Sequence, residues 1–191
     1  MRWPRRLPPA SVARYSTVMT KPHHTAIVTG AKGKLGRAFV VRLRRDGFEV
    51  EAVDVGETRR AHAPGYKPYL FDCAYHHDEP DQHVARVTGH LQEWQRYAAI
   101  FVPSSMWIDH DHAYGRAKRQ VEALAAQYVA KGARVVTDRI GYFPGDGVEP
   151  DPNEPMYAHR VTGDALYARV MQQMRAPAWS ALACQPHALR L

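Results

Sequence analysis

The segment TAIVTGAKGKLG (residues 25–36) joins a run of β-branched residues to a glycine-rich turn. Its first five residues have the composition of a buried strand, and a helix-like pattern begins within the glycine-rich part. Gly30 would permit a tight turn, Gly33 would let the backbone approach a pyrophosphate, and Gly36 would let helix and strand pack closely. The helix N-terminus would offer unpaired N–H groups and a partial positive charge to the phosphates. We therefore predict a dinucleotide-binding turn with contacts from Gly30, Lys32, Gly33, Lys34, Leu35 and Gly36.

An acid lies at the end of the next predicted strand. Asp54 follows Gly36 by 18 residues, where a carboxylate can accept hydrogen bonds from both hydroxyls of an adenosine ribose and would repel a 2′-phosphate. This favours NAD over NADP, although Lys32, Lys34, Arg59 and Arg60 are cations that oppose the preference. The simpler interpretation, in which the glycines turn a corner without holding a ligand, is disfavoured because strand, helix and acid occur in the expected order.

Short β-branched runs alternate with helical patterns from residue 25 onward, which is typical of a parallel sheet with crossover helices. The predicted strands cover residues 25–29, 48–55, 69–73, 98–102 and 133–140, and the predicted helices cover residues 33–46, 82–97, 113–130 and 164–174. The predicted fold class is therefore α/β, a Rossmann-like doubly wound parallel sheet. We expect a core over residues 23–146 and a short substrate-side cap over residues 147–191.

Composition excludes several classes of protein. The chain has 191 residues, 45% of them hydrophobic and 24% charged, and its mean hydropathy of -0.47 argues against a membrane span. Two cysteines, Cys73 and Cys184, are too few for a disulfide scaffold and fit a reducing compartment. The 11 histidines lack convincing ligand spacing, so we predict no metal.

The net charge of +7 is concentrated at the start of the chain. Residues 1–22 contain five basic residues and no acid, and the first acid is Asp46. The remaining chain is nearly neutral, so we predict no nucleic-acid partner and no membrane partner. The first segment is predicted to be a disordered extension, with Met19 as an alternative initiator. That start predicts a cytoplasmic protein, and the alternative is a mitochondrial transit peptide.

Two polar side chains lie at i and i+4 of the third predicted helix. Tyr114 and Lys118 would lie on one helix face, and the ammonium would lower the phenol pKa. Such a tyrosine can exchange a proton with a substrate alcohol or carbonyl. Ser104 and Ser105 end the preceding strand segment, IFVPSS, at the carboxyl edge where open α/β sheets bind ligands. An ordinary surface helix face explains the Tyr/Lys pair equally well when the pair is taken alone.

These residues resemble the short-chain dehydrogenase/reductase family, in particular its extended NAD-dependent epimerase/dehydratase branch. The resemblance covers residues 25–175 and is carried by TGAKGKLG, VDV, SSMW, YGRAK and RIGYFPG. The last motif, with its acidic and proline-rich continuation, is also similar to hexuronate dehydrogenases. The resemblance implies a small-molecule substrate, and it implies a homodimer paired through the YxxxK helix.

The resemblance also implies a role for each matching residue. Ser105 would bind the substrate oxygen, Tyr114 would be the acid–base, and Lys118 would tune it and hold the nicotinamide ribose. Asp72 would contact adenine, or alternatively act as a strand-end cap, and Arg139 would meet a substrate carboxylate or be structural. The remaining implied contacts are Ser104 and Met106 for the substrate and residues 140–145, including Ile140 and Tyr142, for the nicotinamide.

The middle of the chain departs from the family pattern. Asp54 and Ser105 are 51 positions apart, which leaves room for one strand–helix unit where the family has two, so we predict a sheet abridged between strands 2 and 5. Ser105 also precedes Tyr114 by only nine residues.

We predict an NAD(P)-dependent oxidoreductase acting on a hydroxyl or carbonyl of a sugar or sugar acid. The alternatives are a sugar epimerase or dehydratase, and a noncatalytic dinucleotide-binding relative that acts as a redox sensor or scaffold.

Overall fold

Five parallel strands form one sheet in a computed structural model, which describes residues 24–54, 56–58, 60, 62–63, 65–75, 79–143, 153 and 160–176. The strands are β1 (Thr25–Thr29), β2 (Glu49–Val53), β3 (Tyr69–Asp72), β4 (Ala99–Ser105) and β5 (Val135–Ile140). The helices are α1 (Lys34–Arg45), α2 (Pro80–Gln92), α3 (Ala113–Ala130) and α4 (Gly163–Arg175), with short 3-10 turns at Trp94–Arg96 and Met106–Asp109. The strand order is β2-β1-β3-β4-β5. The predicted α/β Rossmann-like class is confirmed.

The abridgement lies at the edge of the sheet beyond β2. A complete doubly wound sheet has the order 3-2-1-4-5-6, with a strand on the outer side of strand 2. Here the chain leaves β2 and returns directly to β3, on the other side of β1. His62, between β2 and β3, contacts β2, because its Nε2 lies 3.1 Å from Glu51 Oε2. β2 is therefore an edge strand, and the predicted abridgement is confirmed.

Strand β4 runs three residues further than the sequence predicts. It pairs with β3 as far as Phe101 and with β5 as far as Ser105. Its carboxyl end is thus paired on one side only, where a proline such as Pro103 is tolerated. Ser104 and Ser105 consequently belong to the strand itself, and both are buried.

The two faces of the sheet bury different helices. Phe39 of α1 packs on Phe71 and Phe101, with ring centroids 5.0 and 5.2 Å away, and the apolar side of α4 joins this cluster. The opposite face buries Ile27, Leu70, Leu91 and Val121 between the sheet, α2 and α3. The sequence places α4 in a substrate-side cap, whereas its buried residues lie in the main core. The rest of residues 147–191, apart from residues 153, 160–162 and 176, lies outside the described residues, as does the 1–22 extension.

Candidate functional site

The glycine-rich turn has the backbone geometry that its sequence predicts. Gly30 has φ +62°, and a Cβ there would lie 2.6 Å from the Cα of Ala74. A Cβ on Gly36 would overlap the carbonyl group of Gly30. Gly33 donates its N–H to the Gly30 carbonyl at 2.9 Å. The turn can therefore form only when side chains are absent at positions 30 and 36.

The N-terminus of α1 is open to a ligand. Gly33 is its N-cap and supplies no side-chain hydrogen bond, and the first turn contains no acid. Lys32, Gly33 and Lys34 are exposed, and Leu35 is half-buried. The first N–H groups of a helix without a capping side chain, together with the helix dipole, form an anion site. This corner can accept a pyrophosphate.

Two carboxylates stand beside the turn. The Asp54 carboxylate accepts from the backbone N–H of Lys32 at 2.8 Å. Glu57, which the sequence analysis missed, accepts from the Asp54 N–H at 2.9 Å and pairs with the Lys32 ammonium at 3.0 Å. The hydrogen bond and charge of Lys32 lower the pKa of Glu57. Lys32, a cation expected to favour NADP, is thus engaged by an acid.

A hollow of about 390 Å³ adjoins Asp54 on the α1 side of the β2 edge. Arg37, Val41 and Arg44 of α1 line it together with Ala52 of β2. The hollow is open because, among the residues that the structure describes, no strand pairs with the outer side of β2.

The paired serines are buried at the carboxyl edge of β4. Ser105 is 2% exposed, and its Oγ accepts from the backbone N–H of Trp107 at 3.1 Å, which begins the 3-10 turn. The hydroxyl proton of Ser105 is still available for donation to an oxygen. Ser104 is also buried and Met106 is half-buried at the start of the turn. The predicted substrate-side segment therefore lies at the correct edge, and Ser105 also caps the turn.

Helix α3 brings Tyr114 and Lys118 to one face, as the i and i+4 spacing predicts. The helix is capped by His112, whose Nδ1 accepts from the Gly115 N–H at 2.8 Å. Tyr114 is half-buried and Lys118 is 3% exposed. Lys118 Nζ lies 5.7 Å from the centroid of the Tyr114 ring. Burial lowers the pKa of Lys118 to about 8.

The Lys118 side chain is enclosed by residues that the sequence analysis did not assign to the site. Its Nζ donates to the Pro103 carbonyl at 2.9 Å and lies 3.1 Å from Nε2 of His83. The ring of Tyr75 lies 4.7 Å from Nζ and 5.1 Å from the Tyr114 ring. Burial raises the pKa of Tyr75 to about 12. The position of Tyr75, three residues after the end of β3, was the sequence signal that could have identified it.

Asp72 lies in the interior of the protein, away from any ligand surface. It is 0% exposed, accepts from the Thr29 hydroxyl at 2.7 Å and pairs with Arg86 at 3.1 Å. His90 Nδ1 lies 3.3 Å from its second oxygen. Burial acts to raise the pKa of Asp72, but His90 and Arg86 outweigh burial and hold that pKa well below its usual range. The implied adenine contact is therefore corrected, because this carboxylate joins β3 to β1 and α2.

Arg139 also has a structural partner in place of the implied substrate carboxylate. Its Nε and Nη2 donate to both oxygens of Glu122 on α3, at 3.0 and 2.9 Å. A guanidinium fork filled by one carboxylate leaves little for a second. The structural alternative for Arg139 fits this geometry.

The end of β5 lies beside the serine segment. Ile140 and Tyr142 are buried, and the Tyr142 ring packs edge-on against Trp107 at 5.1 Å. Residues 144–145 of the implied nicotinamide contact, like Arg59 and Cys184, lie outside the described residues.

Within the described ranges, no three His, Cys, Asp or Glu side chains gather as a metal ion would require. No helix in this part of the chain is both long and apolar enough to cross a bilayer.

No family model and no curated protein sequence matches the chain. Solved structures do match its fold. UDP-glucose 4-epimerase from Thermotoga maritima superposes with a TM-score of 0.59 at 14% identity, over 79% of this chain and 73% of that one. The capsular polysaccharide assembling protein CapF from Staphylococcus aureus gives 0.55 at 18% identity, over 87% of this chain and 52% of that one.

A nucleoside-diphosphate sugar epimerase from Corynebacterium glutamicum gives a TM-score of 0.56 at 16% identity, over 80% of this chain and 44% of that one. The chain thus spans about half the length of CapF and less than half of this epimerase. At these identities the likeness concerns the fold, so the chain has the Rossmann-like fold of these proteins in an abridged form.

Proposed function

We propose that the chain is a nicotinamide-dinucleotide-dependent enzyme of the extended short-chain dehydrogenase/reductase type, acting on a hydroxyl or carbonyl carbon of a sugar or sugar acid. One observation carries the proposal. Ser105 ends β4, α1 begins after the carboxyl end of β1, and the helix with Tyr114 and Lys118 begins after the carboxyl end of β4, all in one parallel sheet. Ligands of open α/β sheets bind at this edge.

The turn would hold the pyrophosphate through the first N–H groups of α1. Asp54 would receive the adenosine ribose, and the carboxylates of Asp54 and Glu57 beside the turn would repel a 2′-phosphate, which supports NAD as the cofactor. A nicotinamide, when bound, would supply or accept the hydride.

The proton step is assigned to Tyr114. Its phenol would exchange a proton with the substrate oxygen, and the Ser105 hydroxyl would donate a hydrogen bond to that oxygen. Lys118 would influence the phenol through the short distance between Nζ and the Tyr114 ring.

Substrate and reaction direction extend this proposal. Three of the similar structures are described as epimerases, and an epimerase uses the same proton exchange, so epimerisation is the nearest alternative. The hexuronate resemblance gains no support from these structures, and uronates stay a predicted substrate class. A homodimer through α3 and a cytoplasmic location are proposed on the sequence alone.

A noncatalytic dinucleotide-binding protein is the second candidate. The observation that favours it is the missing strand beyond β2, because the outer strand and its connections normally support the adenosine half of the cofactor.

Titration of protein fluorescence with NADH tests binding, and absorbance of reduced nicotinamide with a panel of uronates, aldoses and nucleotide sugars tests turnover. Tyr114→Phe should abolish turnover and preserve binding. Tyr128→Phe, on the same helix beside Lys131, is the matched control and should change neither. Binding without turnover on any substrate would favour the noncatalytic candidate, and no NADH binding at millimolar concentration would overturn both.

A further inference from the structure

The hydrogen-bond partners of His83 determine which nitrogen atoms near Lys118 carry protons. His83 lies on α2 and is 1% exposed. Its Nδ1 is 2.8 Å from Nη2 of Arg86, and its Nε2 is 3.1 Å from Nζ of Lys118. A neutral imidazole has one N–H and one lone pair, so the two neighbours decide which nitrogen holds the proton.

Arg86 can only donate. Its Nε donates to the Asp72 carboxylate at 3.1 Å, and Nη2 donates to the Ala74 carbonyl and to His83 Nδ1. A guanidinium has no acceptor and does not lose its proton in a protein. Nδ1 of His83 must therefore accept from Arg86, which places the imidazole proton on Nε2, facing Lys118.

An N–H facing Nζ at 3.1 Å requires a lone pair on the lysine nitrogen. An ammonium has three donors and no acceptor, so one of its N–H groups would face the Nε2–H of His83 without a hydrogen bond. An uncharged amine accepts from His83, donates one proton to the Pro103 carbonyl and keeps a second proton for another partner. This arrangement gives both nitrogens of His83 a partner and lets Lys118 Nζ accept from His83 while it donates to Pro103.

We infer that His83 is a positioning residue that favours the uncharged amine of Lys118, and that Lys118 takes up a proton only when His83 moves its own proton to Nδ1 and gives up the hydrogen bond from Arg86. His83 on α2 thus alternates between two states: it accepts from Arg86 and donates to the Lys118 amine, or it accepts from the Lys118 ammonium on α3 and loses the bond from Arg86.

The electrostatics set the pH at which the uncharged amine gives way to the ammonium. Burial and the charge of Arg86 lower the pKa of Lys118, whereas Asp72 opposes the shift. Burial and the charge of Lys118 lower the pKa of His83 to about 3, so a doubly protonated imidazole does not form near neutral pH. The titratable and charged groups that face Lys118 are His83 and Arg86 from α2, Asp72, Cys73 and Tyr75 from β3 and the residues after it, and Tyr114 and Glu122 from α3. Strand β4 contributes the backbone carbonyl of Pro103.

The consequence for the site rests on the proposed function. A charged lysine stabilises the phenolate of Tyr114, whereas an amine does not. His83 would therefore restrict this support of Tyr114 to the pH range below the titration of Lys118.

Nuclear magnetic resonance on the ligand-free protein tests the inference directly. The ¹³Cε signal of Lys118, assigned by its loss in Lys118→Arg, should titrate with a midpoint near 8. The imidazole ¹⁵N signals of His83 should show the proton on Nε2 above that midpoint and on Nδ1 below it. His83→Phe should raise the Lys118 midpoint by at least one pH unit, a tenfold change in its acid dissociation constant.

His62→Phe is the matched control, because His62 contacts Glu51 away from this cluster, and it should leave the Lys118 midpoint unchanged. A Lys118 midpoint near the ordinary 10.5, or a His83 tautomer that stays the same while Lys118 titrates, would overturn the inference. If His83→Phe does not fold, the wild-type tautomer measurement decides alone. The experiment needs no dinucleotide or substrate, so its outcome is independent of the proposed enzyme activity.

Discussion

Gly36 is the residue at which a single methyl group would do most harm to the turn. The added Cβ would overlap the Gly30 carbonyl group, and neither backbone segment can retreat because β1 and α1 are both packed in the core. We expect Gly36→Ala to lower the free energy of unfolding by about 2 kcal/mol or more and to abolish NADH binding. Chemical denaturation and fluorescence titration measure the two effects.

Gly89→Ala is the matched control for that change. Gly89 is exposed within α2, and nothing lies within 4 Å of an added Cβ. Alanine favours a helix interior over glycine by up to about 1 kcal/mol, so this variant should be slightly more stable than the wild type and bind NADH normally. If both alanine variants behave alike, close packing at the turn is not what Gly36 provides.

Acid should destabilise the protein through His83 before it titrates the carboxylates. The pKa of His83 is lowered to about 3 from 6.5 by burial and by Lys118. Between these values the unfolded chain binds a proton that the folded chain does not, so stability falls as pH falls through this range. We expect the urea midpoint to decline from pH 6.5 to 4, and His83→Phe to flatten that decline. An equally steep decline in the variant would contradict this assignment.

Helix α4 is an element of the core, and its substitutions should behave accordingly. Met174 and Leu166 are 0% and 1% exposed in the cluster that also contains Phe39. Replacing either with alanine should cost about 2 to 5 kcal/mol, measured by urea unfolding. Asp164 on the same helix pairs with Arg42 and Arg45 but is largely exposed, and Asp164→Asn should leave the unfolding midpoint nearly unchanged because solvent screens such pairs. Equal losses at both sites would show that α4 is held by its charges.

Strand β2 carries an exposed acid at the edge of the described sheet. Glu49 is exposed on this strand, and charges on edge strands oppose intermolecular pairing. Glu49→Val should increase self-association at fixed protein concentration, detected by light scattering. Glu93→Val, which replaces an exposed acid away from any strand, should not.

The sequence was sufficient to predict every element of the described sheet. Alternation of strand and helix patterns predicted β1 and α3 to the residue, and the short span between Asp54 and Ser105 predicted the abridgement. Local periodicity reports whether a segment is a strand or a helix, but it does not report which neighbour covers the segment. For that reason α4 was predicted to be a cap, although its apolar face completes the core beside α1.

The sequence predicted those parts of the candidate site whose geometry follows from a short motif. The glycine turn and the i and i+4 pair of Tyr114 and Lys118 are short-range features, and the structure reproduces both. The roles implied for Asp72 and Arg139 depend on partners distant in sequence, Arg86 and Glu122, which no spacing rule reveals. His83 was missed for the same reason, because α2 and α3 meet only after the chain folds.

The bare outer edge of β2 has a consequence for how long a dinucleotide would stay. Its adenine end would rest beside the hollow next to Asp54 with water on one side, and less buried surface means faster escape. Such a molecule would be a co-substrate exchanged at each turnover, released oxidised or reduced into the surroundings. Under the proposed function, such exchange suits a dehydrogenase, which converts the substrate in one direction, better than an epimerase, which must keep the same nicotinamide through the whole catalytic cycle.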